Sequence, residues 1–167
     1  MITAFNNKSD SIVGDYDTSA FTSNVETILN TITINTGDIK SGETFTVYAG
    51  FQKTGTSVYD IKLYYNTATT ITGALLLGSV TAASGDTTPT FTRTFYPYAG
   101  DPTFIDSLNP SFNSYDDWGS YATPLTTTVL NNDIETTTGY FILTGQRTSV
   151  STIALINNFF TVEIWVL

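Results

Sequence analysis

Four aspartates, Asp101, Asp106, Asp116 and Asp117, are interleaved with Tyr96, Tyr98, Phe104, Tyr115, Trp118 and Tyr121 in the stretch "YPYAGDPTFIDSLNPSFNSYDDWGSYATP". Two carboxyls held roughly 5–9.5 Å apart across a cleft can hydrolyse a glycosidic bond. Adjacent Asp116 and Asp117 project in different directions, and no spacing pairs either with a second acid. Calcium needs acidic ligands at alternating positions around a glycine turn. "DYD" at 15–17 and "YDDWG" at 115–119 are only fragments of that pattern. The chain has no histidine and no cysteine, so disulfides, thiolate nucleophiles, Cys/His zinc sites and histidine-based triads are excluded. A non-enzymatic protein without metal or cofactor is therefore expected.

The same stretch fits sugar recognition, in which flat rings stack on sugar faces and carboxylates accept from hydroxyls. Tyr98, Phe104, Tyr115, Asp116, Asp117, Trp118 and Tyr121 are the candidate ligand-binding residues. The competing reading is a self-packed surface loop, its aromatics anchoring it and its aspartates setting turns.

The elements that must position this loop are strands. About a fifth of the residues are threonine and 14% are aromatic, a composition that suits pleated, half-buried surfaces. "VETILNTITI" puts Ile28, Ile32 and Ile34 on one face, and "TFTVYAGFQK" alternates Phe45, Val47, Ala49 and Phe51 with polar or small residues. Between them, "NTGDIKSGE" is a turn in which Gly37 and Gly42 are candidates for positive φ. "VYDIKLYYN" turns Tyr59, Ile61, Leu63 and Tyr65 inward, and the continuous run "ITGALLLGSV" predicts a strand covered on both faces. In "TFTRTFY", alternation places Arg93 on the face of Phe91 and Phe95, which predicts a bulge or an outward aromatic face. All five prolines fall between residues 89 and 124, so residues 97–124 are expected to be largely irregular. "LTTTVL", "YFILTG" and the C-terminal "NNFFTVEIWVL" complete about eight strands. The expected fold is all-β, an antiparallel β-sandwich of jelly-roll type. Its divisions are an extended N-terminal arm at 1–24 and a sandwich at 25–167 carrying the 97–124 insert.

The net charge is −9, and the six basic residues, Lys8, Lys40, Lys53, Lys62, Arg93 and Arg147, never cluster. Nucleic acid and anionic membrane surfaces are not expected as partners. No apolar run reaches the roughly 18 residues of a membrane span. The start, "MITAFNNKSDSIVGDYD", lacks the basic and apolar regions of a cleaved signal, so neither secretion nor membrane spanning is expected.

Two segments carry a resemblance. "VETILNTITINTGDIKSGETFTVYAGFQKTGTSVYDIKLYYN" and "YFILTGQRTSVSTIALINNFFTVEIWVL" resemble the tumour-necrosis-factor-like jelly-roll domains of phage virion proteins: capsid decorations, head fibres and tail-fibre tips. The shared features are a Glu-Thr-x-Leu strand, a Gly-Asp turn, an aromatic-alternating strand and a Val-Glu-x-aromatic ending. The resemblance covers residues 25–96 and 125–167. It implies a homotrimer in a virion assembled in the host cytoplasm, with a major capsid or tail protein as further partner. The alternative it leaves open is a receptor- or carbohydrate-binding module at a fibre or tail tip, with a host surface glycan as partner.

The C-terminal strand supplies the interface candidates. Phe160, Val162, Ile164 and Val166 form a core face, which leaves Phe159, Trp165 and Leu167 on the other. Burying one large apolar side chain is worth roughly 1.5–3 kcal/mol, so these three are expected to meet either a symmetry-related copy or the chain's own long loop. In the arm, Ile2, Phe5, Ile12, Val13 and Phe21 are the candidates for attachment to a scaffold, with plain disorder as the competing reading. On the attachment reading, removing residues 1–24 leaves the sandwich folded.

Overall fold

A computed structural model describes residues 9–13, 20–98, 101–108, 127–130, 132–151 and 154–165. Ten strands run in chain order: β1 (Ser9–Val13), β2 (Thr27–Ile34), β3 (Thr44–Lys53), β4 (Tyr59–Asn66), β5 (Leu75–Ala82), β6 (Thr90–Tyr98), β7 (Asp101–Leu108), β8 (Thr127–Val129), β9 (Gly139–Arg147) and β10 (Leu155–Trp165). They form two antiparallel sheets, β1-β10-β3-β6-β7-β8 (sheet A) and β2-β9-β4-β5 (sheet B).

The pairing defines the topology. With β7 and β8 set aside, β1 pairs with β10, β2 with β9, β3 with β6 and β4 with β5. That is one long antiparallel hairpin, its tip between β4 and β5. Rolling it up brings β10 against β3 and β9 against β4. An eight-strand hairpin rolled in this way is a jelly roll, and β7 and β8 extend sheet A beyond β6.

Alternation drives the two sheets together. Phe45, Val47, Ala49 and Phe51 of β3, and Tyr59, Ile61, Leu63 and Tyr65 of β4, are all buried. Rings connect the layers in a chain: Phe95 stacks on Phe45 at 5.1 Å, Phe45 meets Phe141 at 5.4 Å, and Phe141 meets Tyr65 at 5.6 Å. Gly37 and Gly42 take the positive φ expected of them, 83° and 86°.

Five sequence expectations are corrected. Ile28 does not share the inward face of Ile32 and Ile34: a bulge between Ile28 and Asn30 turns it outward, and Leu29 packs on the core instead. β5 is covered on one face only, since Leu76 is exposed. β6 needs neither a bulge beside Arg93 nor an outward aromatic face. Arg93 points inward with Phe91 and Phe95, and its guanidinium lies against Gly78 of β5, where an added Cβ would meet Nη2 at 2.9 Å.

The insert is not largely irregular at its start, because residues 97–98 belong to β6 and 101–108 form β7. Both prolines there sit where a missing N–H costs little. Pro97 follows the last β3–β6 pair, Phe45 with Phe95, and borders a register shift, while Pro102 precedes the Phe104–Asp106 segment that β8 pairs.

Finally, the described part of the arm is not separate from the sandwich. β1 is the edge strand of sheet A, with Ser9 opposite Trp165 and Val13 opposite Thr161. Phe21 then exchanges two backbone hydrogen bonds with Leu155, at 2.8 and 2.9 Å. Residues 20–26 carry the chain across to sheet B, where the Arg147 amide donates to the Ser23 carbonyl at 2.9 Å.

Besides Arg93, an asparagine pair and a lysine interrupt the apolar interior. Asn30, at the β2 bulge, donates through Nδ2 to Asn157 Oδ1 at 3.2 Å, which ties sheet B to sheet A. Asn157 sits at the β10 bulge and donates to the carbonyls of Gly50 and Phe159, both at 3.1 Å. Lys53, only 2% exposed, donates from Nζ to the Ala83 carbonyl at 2.6 Å. Burial pushes its ammonium below the ordinary lysine range, and nearby Asp86 offsets part of that.

Candidate interaction surfaces

The outer face of sheet A is assembled from alternate residues of β10, β3 and β6. Register aligns Trp165 with Thr44, Glu163 with Thr46 and Thr94, Thr161 with Tyr48 and Thr92, and Phe159 with Gly50 and Thr90. Most of this face is threonine, and Thr46 and Thr94 join through their hydroxyls at 2.9 Å. Burial raises the Tyr48 phenol, and the neighbouring Glu163 carboxylate raises it further, so Tyr48 stays a neutral donor well above neutral pH.

Phe159 stands apart on this face. Alternation with Phe160, Val162 and Ile164 leaves the Phe159 ring outward, and the extra residue of the β10 bulge, Asn158, lets Asn157 face inward as Phe160 does. The ring lies over Gly50 of β3, and a Cβ at that position would run into ring carbons Cδ1, Cε1 and Cζ. It is still 36% exposed. Trp165 is half-buried at the far end of the same strand, and Leu167 lies outside the described residues. Phe159 and Trp165 therefore share one face, as the alternation implies, but Glu163 and Thr161 stand between them.

The arm candidates divide. Ile12 and Phe21 pack against the chain's own core, with the Phe21 ring 5.9 Å from that of Tyr59. Neither is free to grip a scaffold, because each completes the sandwich to which it belongs. The Val13 backbone pairs with Thr161, and its side chain, like Ile2 and Phe5, lies outside the described residues. Of the loop candidates, Tyr98 is exposed at the end of β6 and Phe104 lies in β7 opposite Val129. Tyr115, Asp116, Asp117, Trp118 and Tyr121 lie outside the described residues.

One cluster escaped the sequence reading. Glu26 lies over the outer face of sheet B, where its Oε1 accepts from Tyr64 Oη at 2.9 Å and Thr144 Oγ1 at 2.7 Å. Its Oε2 accepts from Lys62 Nζ at 2.9 Å. Burial alone would raise this carboxyl, but the hydrogen bonds from Thr144, Lys62 and Tyr64 outweigh it and hold the group below the ordinary glutamate range. Glu26 in turn raises Lys62. The sequence carries no signal for this cluster, since its members come from three separate segments. The Asn30–Asn157 tie is half legible, as Asn30 occupies an inward position in the β2 alternation.

Sheet order and surface together define a jelly-roll β-sandwich with an aromatic residue set outward on its six-stranded sheet. Comparison of the chain with protein-family models, curated proteins and solved structures found no match.

Proposed function

We propose that the protein is a non-enzymatic structural component of a phage particle, a capsid decoration or fibre-like element that works as a homotrimer of jelly rolls. The observation that carries this reading is Phe159, set outward over Gly50, with Trp165 on the same face of the same strand. A glycine beneath an outward ring serves a surface that is to be covered by another chain. The jelly roll supports the reading by analogy, since viral capsid and lectin domains share that architecture. So does the resemblance of the segments at 25–96 and 125–167 to phage virion domains. Attachment to the particle falls to the chain before Ser9, which contains Ile2 and Phe5, because Ile12 and Phe21 are engaged in the sandwich.

Light scattering should give about three times the 18.2 kDa chain mass at micromolar protein. Gly50→Ala tests the surface without touching the core, because its methyl group displaces the Phe159 ring from its seat. The expected result is a monomeric mass with a stability change of less than about 0.5 kcal/mol, the range of surface substitutions that avoid the core. A monomeric wild type would refute the trimer, and a Gly50→Ala protein that stays trimeric would remove Phe159 from the interface. Placement in the virion is tested by mass spectrometry of gradient-purified particles. The chain should be present at a fixed copy number relative to the major capsid protein, and its absence from washed particles would refute the assignment.

A further inference from the structure

Resting on the trimer reading above, we propose that assembly through the outer face of sheet A takes up a proton at Glu163 of each copy, so that the trimer tightens in acid and loosens as pH rises. Glu163 stands between Phe159 and Trp165 on the outward side of β10. Those two rings belong to positions roughly 20 Å apart along the strand. A chain that covers both must cover Glu163 as well.

The face has no cation to set against that carboxylate. The six strands of sheet A hold two basic residues, Lys53 and Arg93, and both are buried on the inward side. Lys62, on sheet B, is already paired with Glu26. Beside Glu163 the register places Thr46 on β3, with Thr94 beyond it on β6, and Ser11 on β1. The titratable neighbour on β3 is the Tyr48 phenol, which burial and then Glu163 itself keep protonated. The other charged residues at nearby register positions are also acids, Asp10 opposite Ile164 and Asp106 opposite Tyr96. A carboxylate removed from water with no cation beside it binds a proton instead. A carboxyl more protonated in the trimer than in the free chain strengthens assembly at low pH. That contribution is lost as pH rises through the titration of the assembled form.

Sedimentation velocity over a dilution series gives the concentration at which half the protein is trimeric. It is measured for wild type, Glu163→Gln and Asp60→Asn at about pH 5 and about pH 7.5, both above the ordinary glutamate value. In wild type the half-point should be about tenfold lower in acid, the factor that a one-unit shift of a titrating group produces. Glu163→Gln should hold the low half-point at both pH values. Asp60→Asn, which removes a carboxylate from the outer face of sheet B, should follow wild type. A trimer with one half-point at both pH values would overturn the proposal and leave the trimer standing. Asp60→Asn matching Glu163→Gln would overturn it too, since net charge and not position would then set the half-point. A trimer weakened by acid or by Glu163→Gln would show that a cation of the neighbouring copy meets Glu163, again against the proposal. Wild type and Glu163→Gln monomeric at both pH values would refute the trimer itself, and proton uptake with it.

Discussion

Deleting residues 1–24 is expected to destabilise the whole sandwich, by on the order of 4 kcal/mol, and to drive the protein into aggregates. Three losses combine. Phe21 takes its packing against Tyr59 with it, and burying one such side chain is worth roughly 1.5–3 kcal/mol. The Tyr59 hydroxyl loses the Phe21 carbonyl to which it donates at 3.1 Å, and Leu155 loses both backbone partners; each such bond contributes about 0.5–1.5 kcal/mol net. The β10 edge, covered by β1 from Thr161 to Trp165, is then left open in the middle of a sequence rich in phenylalanine and valine. A domain of this size has only about 5–15 kcal/mol of stability to lose. Urea denaturation and size-exclusion chromatography of the full chain, a 9–167 protein and a 25–167 protein would decide the matter. The 9–167 protein keeps every contact described above and should unfold near the wild-type midpoint. A 25–167 protein with the same midpoint, and no aggregate, would mean that β1 and Phe21 are dispensable to the fold.

The second large effect is expected at Asn157. Asn157→Ala removes the donors that serve the Gly50 and Phe159 carbonyls at the β10 bulge and the acceptor that serves Asn30. Each of these three hydrogen bonds contributes about 0.5–1.5 kcal/mol net, so a loss of roughly 3 kcal/mol is expected. Bulge and tie should also be separable. In a double-mutant cycle with leucine at both positions, Asn30→Leu relieves the penalty that Asn157→Leu leaves across the core. The double variant should be more stable than the sum of the singles predicts, by on the order of 1 kcal/mol. Strict additivity in chemical denaturation would show that the two sheets are not coupled through this pair.

Both expectations rest on residues whose importance is only partly visible in one dimension. Period-2 alternation in β3, β4, β9 and β10 places Phe45, Val47, Tyr59, Ile61, Phe160 and Val162 inward without reference to any neighbour, because a pleated strand sends alternate side chains to opposite faces whatever it pairs with. Lys53 and Arg93 are legible in the same way, as charges at inward positions. What alternation cannot carry is an insertion into it. The bulges at Leu29 and Asn158 reverse the faces of their flanking residues, and a bulge exists only relative to the strand opposite. β1 and β7 are hidden for a related reason. Ser9–Val13 is too short to establish a period, and Pro102 argues against a strand until its position beyond the reach of β8 is known.

The amino-acid sequence by itself determined the all-β class, eight of the ten strands found among the described residues and most of the core, since these follow from local alternation and turn chemistry. The tertiary structure alone decided that Ser9–Val13 is an edge strand and that Phe21 packs on the core, that Phe159 rests on Gly50, and that Glu26, Lys62, Tyr64 and Thr144 meet. Each of these is a contact between segments far apart in the chain. Their geometry is set by rolling a long hairpin into two sheets, and no local pattern encodes which positions that rolling will bring together.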